Sequence, residues 1–401
     1  MDKNLEKSME SNNRPSIKIL SVDDEAPLEL LMRQYFRRKI RSGEYEFFFA
    51  HNGLEALAIL YNHPDIEIIL SDINMPEMDG LTLLAKVNEM RNPALRVIMV
   101  SAYGDMKNIR QAMNNGAFDF ATKPIDMDDL AVTIEKAREQ IEYVRQSQKE
   151  HTQLVSLKND LNVASDIQQY ILPRVFPPFP EDSAYVDIAA SMQAAKDIGG
   201  DFYDFFRLDN DHIALVIADV CGKGIPAALF MAVSRTLIRA KGMQGASAAE
   251  CLMESNHLLA SYSVNQMFVT VFYAIYNIRT GEITYCNAGH NPPLIMRADG
   301  SIEELPLSKN IVLGIYDEME FTENKIQLQP GETMLMFTDG VNEAANAQYE
   351  EFGMERLTEI LHGVSAGSCQ QMIDSVKEAL TSFAAGAEQS DDITMLAVKR
   401  T

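Results

Sequence analysis

Residues 66–80 read I-E-I-I-L-S-D-I-N-M-P-E-M-D-G, and this stretch decides the fold of the first third of the chain. Its first five residues are a short apolar run that predicts a buried strand, with Asp72 just beyond its end. Four more runs of this kind alternate with helical stretches, at 17–22, 45–50, 96–100 and 118–121. Alternating β and α units predict an α/β domain: a doubly wound, parallel, five-stranded sheet with helices on both faces.

Polar side chains follow the strands of this predicted sheet. Because the carboxyl ends of parallel strands meet at one edge of the sheet, we expect these side chains to lie close together. They are Asp23 and Asp24 after the first strand, Asp72 after the third, Ser101 after the fourth and Lys123 after the fifth. Three neighbouring carboxylates repel one another unless a Mg²⁺ ion lies among them. One carboxylate oxygen then remains free to attack phosphorus.

Residues Ile17 to Ile141 resemble the receiver domain of bacterial response regulators. The resemblance implies that Asp72 is the phosphoacceptor, with a cognate sensor histidine kinase as the partner that supplies the phosphoryl group. It implies further roles for the neighbours: Mg²⁺ ligands at Asp23, Asp24, Asp72 and the Asn74 carbonyl, phosphoryl contacts at Ser101 and Lys123, and an aromatic switch at Phe120.

Residues 126–172 are helical almost throughout by their apolar spacing. One stripe comprises Leu130, Ile134, Ala137, Ile141 and Val144, and a second, in another phase, comprises Leu154, Leu157, Leu161 and Ala164. An apolar stripe needs cover, either from a coiled-coil partner or from the chain's own domains, and we favour a homodimer. The predicted organisation is a receiver domain at 16–141, a helical, coiled-coil-like linker at 142–172, and a third segment at 181–401 beyond a group of prolines.

The third segment interleaves strands with pairs of helices, which predicts an α+β layered β-sandwich domain. Its acidic residues stand beside apolar runs and glycine turns, in G-G-D-F-Y-D, I-A-D-V-C-G-K-G, M-F-T-D-G-V-N-E-A and Q-S-D-D-I-T; they are Asp201, Asp219, Asp339, Asp391 and Asp392. Carboxylate ligands without histidine select Mg²⁺ or Mn²⁺. Two such ions can hold a hydroxide and a phosphoryl group for in-line attack.

The segment from Ser165 to Arg400 resembles the type 2C serine/threonine phosphatases, and within them the sporulation-phosphatase-E-like branch. The resemblance implies that Asp219 bridges two Mn²⁺ or Mg²⁺ ions and that the Val220 carbonyl binds one of them. Asp201 and Asp339 match further ligands, and the last ligand is Asp391 or Asp392, with Asp391 favoured. His290, in N-A-G-H-N-P-P, is interpreted as a structural turn residue.

The implied function is a two-component response regulator whose output is a metal-dependent protein phosphatase, with a phosphorylated anti-sigma factor antagonist as substrate. The alternative is a catalytically silent adaptor that binds a sigma-factor regulator under receiver control. The presence of every acidic ligand position favours the enzyme.

Composition limits the cellular setting. The net charge of −23 argues against a nucleic-acid partner, because phosphate backbones require basic faces. The four cysteines are widely spaced, which fits a reducing compartment. The polar first residues are unlike a signal peptide, and no apolar run reaches the length of a membrane span. We therefore expect a cytoplasmic protein without a membrane partner.

Overall fold

The computed structural model describes residues 16–102, 105–262, 266–364 and 367–401. The contacts divide the chain between Ser156 and Leu157 into two compact units. No helix in these described ranges combines the length and the apolarity needed to cross a membrane.

The first unit is built on a parallel sheet with the strand order β2-β1-β3-β4-β5. Its strands are β1 (Ile17–Val22), β2 (Tyr45–Ala50), β3 (Ile68–Asp72), β4 (Arg96–Ala102) and β5 (Asp119–Lys123). Its shorter helices are α1 (Ala26–Tyr35), α2 (Arg37–Arg41), α3 (Gly53–Asn62), α4 (Gly80–Glu89) and α5 (Met106–Asn114).

Both faces of this sheet are buried. Successive side chains of a strand point to opposite faces, so Ile19 packs in one apolar cluster and Leu20 in the other. Helices α3, α4 and α5 contribute to the cluster around Leu20, and α1 contributes Met32 to the cluster around Ile19. The predicted doubly wound α/β fold is confirmed.

A single helix, α6 (Met127–Ile171), spans the predicted linker. The Asp126 carboxylate caps its first turn, accepting hydrogen bonds from the backbone amides of Asp128 (2.9 Å) and Asp129 (3.2 Å). The first apolar stripe of α6 is buried in the receiver core, at Leu130, Ile134, Ala137 and Ile141. That stripe is therefore covered by the chain's own domain. Arg145 extends the anchoring by pairing with Glu67, the residue just before β3.

The second unit contains two antiparallel five-stranded sheets, ordered β13-β10-β9-β8-β7 and β12-β11-β14-β15-β6. Its strands are β6 (Val186–Gln193), β7 (Phe202–Arg207), β8 (His212–Val220), β9 (Val269–Asn277), β10 (Glu282–Ala288), β11 (Leu294–Met296), β12 (Ile302–Glu304), β13 (Asn324–Gln327), β14 (Thr333–Phe337) and β15 (Ile393–Arg400). The three-residue and four-residue strands β11, β12 and β13 escaped prediction because they are too short to show an alternating pattern.

Helices cover the outer faces of the two sheets. They are α7 (Ile225–Gly242), α8 (Ala248–Tyr262), α9 (Asp339–Asn342), α10 (Gly353–Val364) and α11 (Cys369–Ala384). Alternation along β14 and β15 sends Met336 and Leu396 into the cluster between the sheets, and Phe337 and Met395 into the cluster under α10 and α11. The predicted layered β-sandwich is confirmed.

Candidate functional sites

The receiver site lies at the carboxyl ends of β1, β3 and β5. The Lys123 ammonium pairs with three carboxylates: Nζ lies 2.6 Å from Asp72 Oδ2, 2.9 Å from Asp23 Oδ2 and 3.1 Å from Glu25 Oε1. Asp23 and Asp72 are buried. The parallel register therefore gathers at one edge residues that lie up to a hundred positions apart in the chain.

Two exposed acidic residues follow Asp23. Asp24 and Glu25 are both accessible, and in this structure the third carboxylate oxygen of the cluster belongs to Glu25. One ligand atom from each of Asp23, Glu25 and Asp72 lies within 4.8 Å of the other two. Sequence reasoning missed Glu25, although it directly follows the quoted aspartate pair. These oxygens suit Mg²⁺, a hard cation that prefers carboxylate ligands.

The electrostatics of this cluster follow from burial and pairing. Burial raises the pKa of Asp23, and the hydrogen bond from Lys123 offsets part of that rise. Burial acts to lower the pKa of Lys123, but its hydrogen bonds to Asp72, Asp23 and Glu25 outweigh burial and raise the pKa overall. Lys123 is therefore a fixed positive charge beside Asp72.

The remaining predicted receiver residues lie around this cluster. The Ser101 hydroxyl is buried and has no hydrogen-bond partner among the described residues. The amide of Asn74 donates to Asp72 Oδ1 at 3.3 Å, and Phe120 lies exposed on β5. Gly80 is required by close packing, because a Cβ there would lie 2.0 Å from the Asp72 carbonyl oxygen.

The second site lies in the sandwich domain, where β7 and β8 pair. The register of Phe202 with Ala218 sets Asp201 and Asp219 at adjacent positions of the two strands. Asp201 is almost fully buried, and its Oδ2 accepts a hydrogen bond of 2.7 Å from the Thr338 hydroxyl. The Val220 carbonyl oxygen lies against Gly200, the residue before Asp201.

The other sheet supplies the remaining carboxylates. Strands β14 and β15 are paired, so Asp339 at the end of β14 and the Asp391–Asp392 pair before β15 come to the same edge. Asp392 is already satisfied: its oxygens accept from the amides of Ala195 (2.8 Å), Gly200 (2.6 Å) and Asp201 (3.3 Å). Asp391 is more exposed and pairs at 2.9 Å with Lys223. This geometry favours Asp391 over Asp392 as a metal ligand.

The carboxylates of the second site destabilise one another's charge. Burial, and then the charge of Asp339, raises the pKa of Asp219 to about 7. Burial, and then the charge of Asp219, raises the pKa of Asp201 well above its usual range. Burial and the charge of Asp391 raise the pKa of Asp339. A group of acids that resist ionisation together fits bound cations, because divalent ions would remove this repulsion.

The two sites differ in spacing. Within the described ranges, the receiver carboxylates are the set of three whose ligand atoms all lie within 4.8 Å of one another. The sandwich carboxylates are spaced more widely, which suits a ligand set shared between two ions.

His290 takes no part in holding charge. Its amide donates to Asn287 Oδ1 at 2.8 Å, and its carbonyl accepts from Asn287 Nδ2 at 2.9 Å, which closes a turn. Burial lowers the pKa of His290 to about 3, and a backbone contact to Phe337 offsets only part of the shift. A neutral imidazole at pH 7 is not an acid that donates a proton to a leaving group.

Three polar residues of this site were not predicted from the sequence as site residues. Thr338 holds Asp201, Lys223 pairs with Asp391, and Gln168 contacts the loop before Asp201. Lys223 and Thr338 lie inside the quoted motifs of Asp219 and Asp339, which was the available signal for them, whereas Gln168 lies more than thirty residues before Asp201 and carried no such signal.

Comparison with known proteins agrees with both halves of the chain. The sequence-family model of the response regulator receiver domain matches residues 19–135. The sequence-family model of stage II sporulation protein E (SpoIIE) matches residues 209–401. The phosphoserine phosphatase RsbU of Bacillus subtilis is 30% identical over 247 residues, which span 61% of this chain and 71% of RsbU.

Two further comparisons extend this result. Protein IcfG of Synechocystis sp. is 31% identical over 268 residues, which span 60% of this chain but only 41% of IcfG. The solved SiaA-PP2C domain of Pseudomonas aeruginosa superimposes with a TM-score of 0.54 at 21% identity, over 61% of this chain and 98% of that domain. The structural match supports the fold of the sandwich domain. The chain belongs to the SpoIIE family of metal-dependent protein serine/threonine phosphatases and carries a response regulator receiver domain ahead of its phosphatase domain.

Proposed function

We propose that the protein is a phosphatase that removes phosphoryl groups from a phosphoprotein at a rate set by the phosphorylation of Asp72. The observation that carries the activity is the set of carboxylates at the paired ends of β7–β8 and β14–β15, where burial and then mutual repulsion raise the pKa values of Asp201, Asp219 and Asp339. A purely structural acidic turn would have no need of several buried acids that oppose one another's ionisation.

The residues of this site fall into proposed metal ligands and residues that position those ligands. Asp219 would serve two Mn²⁺ or Mg²⁺ ions and the Val220 carbonyl one of them, while Asp201, Asp339 and Asp391 would complete the sets of ligands. When bound, such ions generate a hydroxide nucleophile and neutralise the phosphoryl oxygens. Asp392 holds the backbone of Gly200 and Asp201 in place, and Thr338 orients the Asp201 carboxylate.

The substrate we propose is a serine- or threonine-phosphorylated anti-sigma factor antagonist. The family resemblance and the name of the relative RsbU, a phosphoserine phosphatase, support a phosphoprotein substrate. The test is hydrolysis of candidate phosphoproteins by the full chain with Mn²⁺. Phosphate release is measured with and without beryllofluoride. A chain that binds the antagonist but never releases phosphate would favour the adaptor alternative.

At the receiver site we propose one Mg²⁺ ion, held by Asp23, Asp24 and Asp72 together with the Asn74 carbonyl, and a sensor histidine kinase as the partner that supplies phosphoryl groups. The Glu25 carboxylate in the cluster offers a further oxygen to the ion. Lys123 and the unpartnered Ser101 hydroxyl are available to bind the phosphoryl oxygens. Phe120, exposed beside them on β5, is available to change its contacts as the aromatic switch.

We expect Asp72→Asn to abolish the effect of an acyl-phosphate donor on the phosphatase rate while leaving the unstimulated rate within about twofold. The amide removes the nucleophile but keeps the shape of the side chain. The measurement is phosphate release with and without the donor. Glu77→Gln is the matched control, since Glu77 is an exposed acid in the same loop and its variant should respond like the parent chain. A stimulated Asp72→Asn variant would contradict the assignment.

We further propose that the second half of α6 forms a homodimer. Leu154, Leu157, Val163, Ile167 and Tyr170 expose apolar side chains there, and the last three follow the spacing of a helical stripe. We expect Ile167→Glu to shift the chain toward monomer in sedimentation experiments, because the buried charge would oppose a helix–helix interface. Gln169→Glu, at an exposed polar position of the same turn, should leave the distribution unchanged. A parent chain that sediments as a monomer would refute the interface.

A further inference from the structure

The last turns of α6 end on the loop that carries the metal ligand Asp201. Gln168 is 6% exposed, and its side-chain amide forms two hydrogen bonds to one residue of that loop. Its Nε2 donates to the Gly199 carbonyl at 2.6 Å, and its Oε1 accepts from the Gly199 amide at 3.0 Å. The glutamine side chain therefore pairs with the Gly199 backbone as a neighbouring β-strand would.

Gly199 is held from its other side as well. A Cβ at this position would lie 2.4 Å from Asp392 Oδ2, so the loop passes directly against that carboxylate. The same Asp392 oxygen accepts hydrogen bonds from the Gly200 and Asp201 amides. The loop is thus clamped between Gln168 on one side and Asp392 on the other.

This clamp positions Asp201. The Asp201 carboxylate accepts a hydrogen bond from the Thr338 hydroxyl, and the backbone and side chain of Thr338 both hydrogen-bond to the segment that contains Asp392 and Thr394. Within the second unit, hydrogen bonds therefore link α6 to Gly199, and the next two amides of the loop, those of Gly200 and Asp201, link it to Asp392. A small displacement of the helix end along its axis must move Gly199 or break both bonds to it, since two parallel hydrogen bonds tolerate little sliding.

The end of α6 is also fixed to the sandwich domain, so that the helix end and the loop form one block. Tyr203, on the strand that follows Asp201, donates its hydroxyl to the Pro173 carbonyl at 2.8 Å. Arg174 Nε donates to the Gln169 carbonyl at 2.7 Å. Leu172 lies in the apolar core between the sheets. A displacement of the end of α6 would therefore be passed directly to the loop that precedes Asp201.

We propose that Gln168 is a positioning residue through which α6 sets the geometry of Asp201, and hence the affinity of the phosphatase site for its metal ions. The inference rests on the proposed function, in which the receiver controls the phosphatase rate. It identifies Gln168 as the residue through which α6, the helix that begins in the receiver, acts on the catalytic domain. Gln168 touches neither substrate nor metal; it acts through the backbone of Gly199.

The test measures Mn²⁺ binding by titration calorimetry on the full chain, with and without beryllofluoride. We expect beryllofluoride to change the Mn²⁺ dissociation constant of the parent chain. We expect Gln168→Met, which keeps the length of the side chain but loses both hydrogen bonds, to weaken Mn²⁺ binding by about 10–100-fold and to remove the effect of beryllofluoride. Gln168→Glu keeps the acceptor and loses the donor, so its loss should be intermediate.

Gln169→Met is the matched control, because Gln169 is the exposed neighbour, and its side-chain oxygen accepts a hydrogen bond from Arg174 rather than from Gly199. It should bind Mn²⁺ like the parent chain. The circular dichroism and unfolding midpoint of each variant show that it is folded; if Gln168→Met does not fold, Gln168→Glu carries the test.

Three outcomes overturn the inference. The folded Gln168 variants could bind Mn²⁺ like the parent chain, or bind it more weakly but still respond to beryllofluoride. In the third outcome, beryllofluoride changes the phosphatase rate of the parent chain but not its Mn²⁺ affinity. In that last case the proposed function stands without this route. A parent chain whose rate and affinity both ignore beryllofluoride overturns receiver control itself.

Discussion

Replacing Asp219 by asparagine should lower the Mn²⁺-dependent phosphatase rate by at least about 100-fold while Asp72 still accepts phosphoryl groups. Loss of a residue that merely supports a metal ligand costs about 10–100-fold in affinity or activity. Asp219 adjoins Asp201 on one side and feels the charges of Asp339 and Asp391 on the other, so it would serve both ions. Its removal should therefore cost at least the upper end of that range.

The measurement is phosphate release from a phosphoprotein over a range of Mn²⁺ concentrations, beside phosphoryl transfer to the receiver from an acyl-phosphate donor. Asp187→Asn is a suitable control, because Asp187 accepts a hydrogen bond from the Cys369 amide at the start of α11 and lies at the opposite end of the β6–β15 pairing from Asp391 and Asp392. That variant should retain its phosphatase rate. Turnover by Asp219→Asn at a comparable rate would remove Asp219 from the metal site.

The extent to which the sequence predicted the receiver site is best seen at Asp24 and Glu25. Strand ends could be placed from apolar runs, and the parallel topology then brought Asp23, Asp72 and Lys123 together. Which of the two adjacent, exposed acids lies beside Lys123 depends on the backbone conformation of the loop. The Glu25 amide donates to Asp23 Oδ1 at 2.8 Å, and this local turn presents Glu25 rather than Asp24 to Lys123.

In the sandwich domain, the sequence predicted which acids gather but not how they divide their roles. Asp391 and Asp392 are adjacent and chemically identical in the sequence. They become distinct only when the loop at 195–201 folds over Asp392 and saturates its oxygens with backbone amides. Helix α6 shows the same limit, because its periodicity predicted a covered stripe at Leu130–Ile141 but could not tell a receiver sheet from a second helix.

The second large effect concerns pH, and it follows from the raised pKa values of Asp219 and Asp201. A site that holds a proton must release it before a divalent ion can bind its carboxylates. With the pKa of Asp219 at about 7, we expect Mn²⁺ affinity to fall by about tenfold for each pH unit below 7. If Asp201 also retains a proton, the dependence becomes steeper. Calorimetry in buffers of different ionisation enthalpy would count the protons released.

The same groups determine how the metal-free protein responds to pH. Both acids have higher pKa values in the folded chain than the usual value of 3.8 for aspartate, so the folded state holds more protons than the unfolded state between those values. Their contribution to stability is fully present below pH 3.8 and is lost as the pH rises through about 7 for Asp219. With a chelator present, we therefore expect the unfolding temperature of the phosphatase domain to fall between pH 6 and pH 8. The fall should be larger in the parent chain than in Asp219→Asn.

The comparison with Asp219→Asn matters because other groups titrate in the same range. His290, with its lowered pKa, contributes in the opposite direction, since a buried neutral imidazole gains relative stability as the pH rises through 6.5. The asparagine variant keeps that contribution and removes only that of Asp219. Excess Mn²⁺ should restore the parent chain at pH 8, because divalent charge takes the place of the missing protons. A metal-free difference in unfolding temperature between the parent chain and Asp219→Asn that stays constant with pH would show that Asp219 ionises freely in the fold. The argument for a metal between these carboxylates would then lose its electrostatic basis.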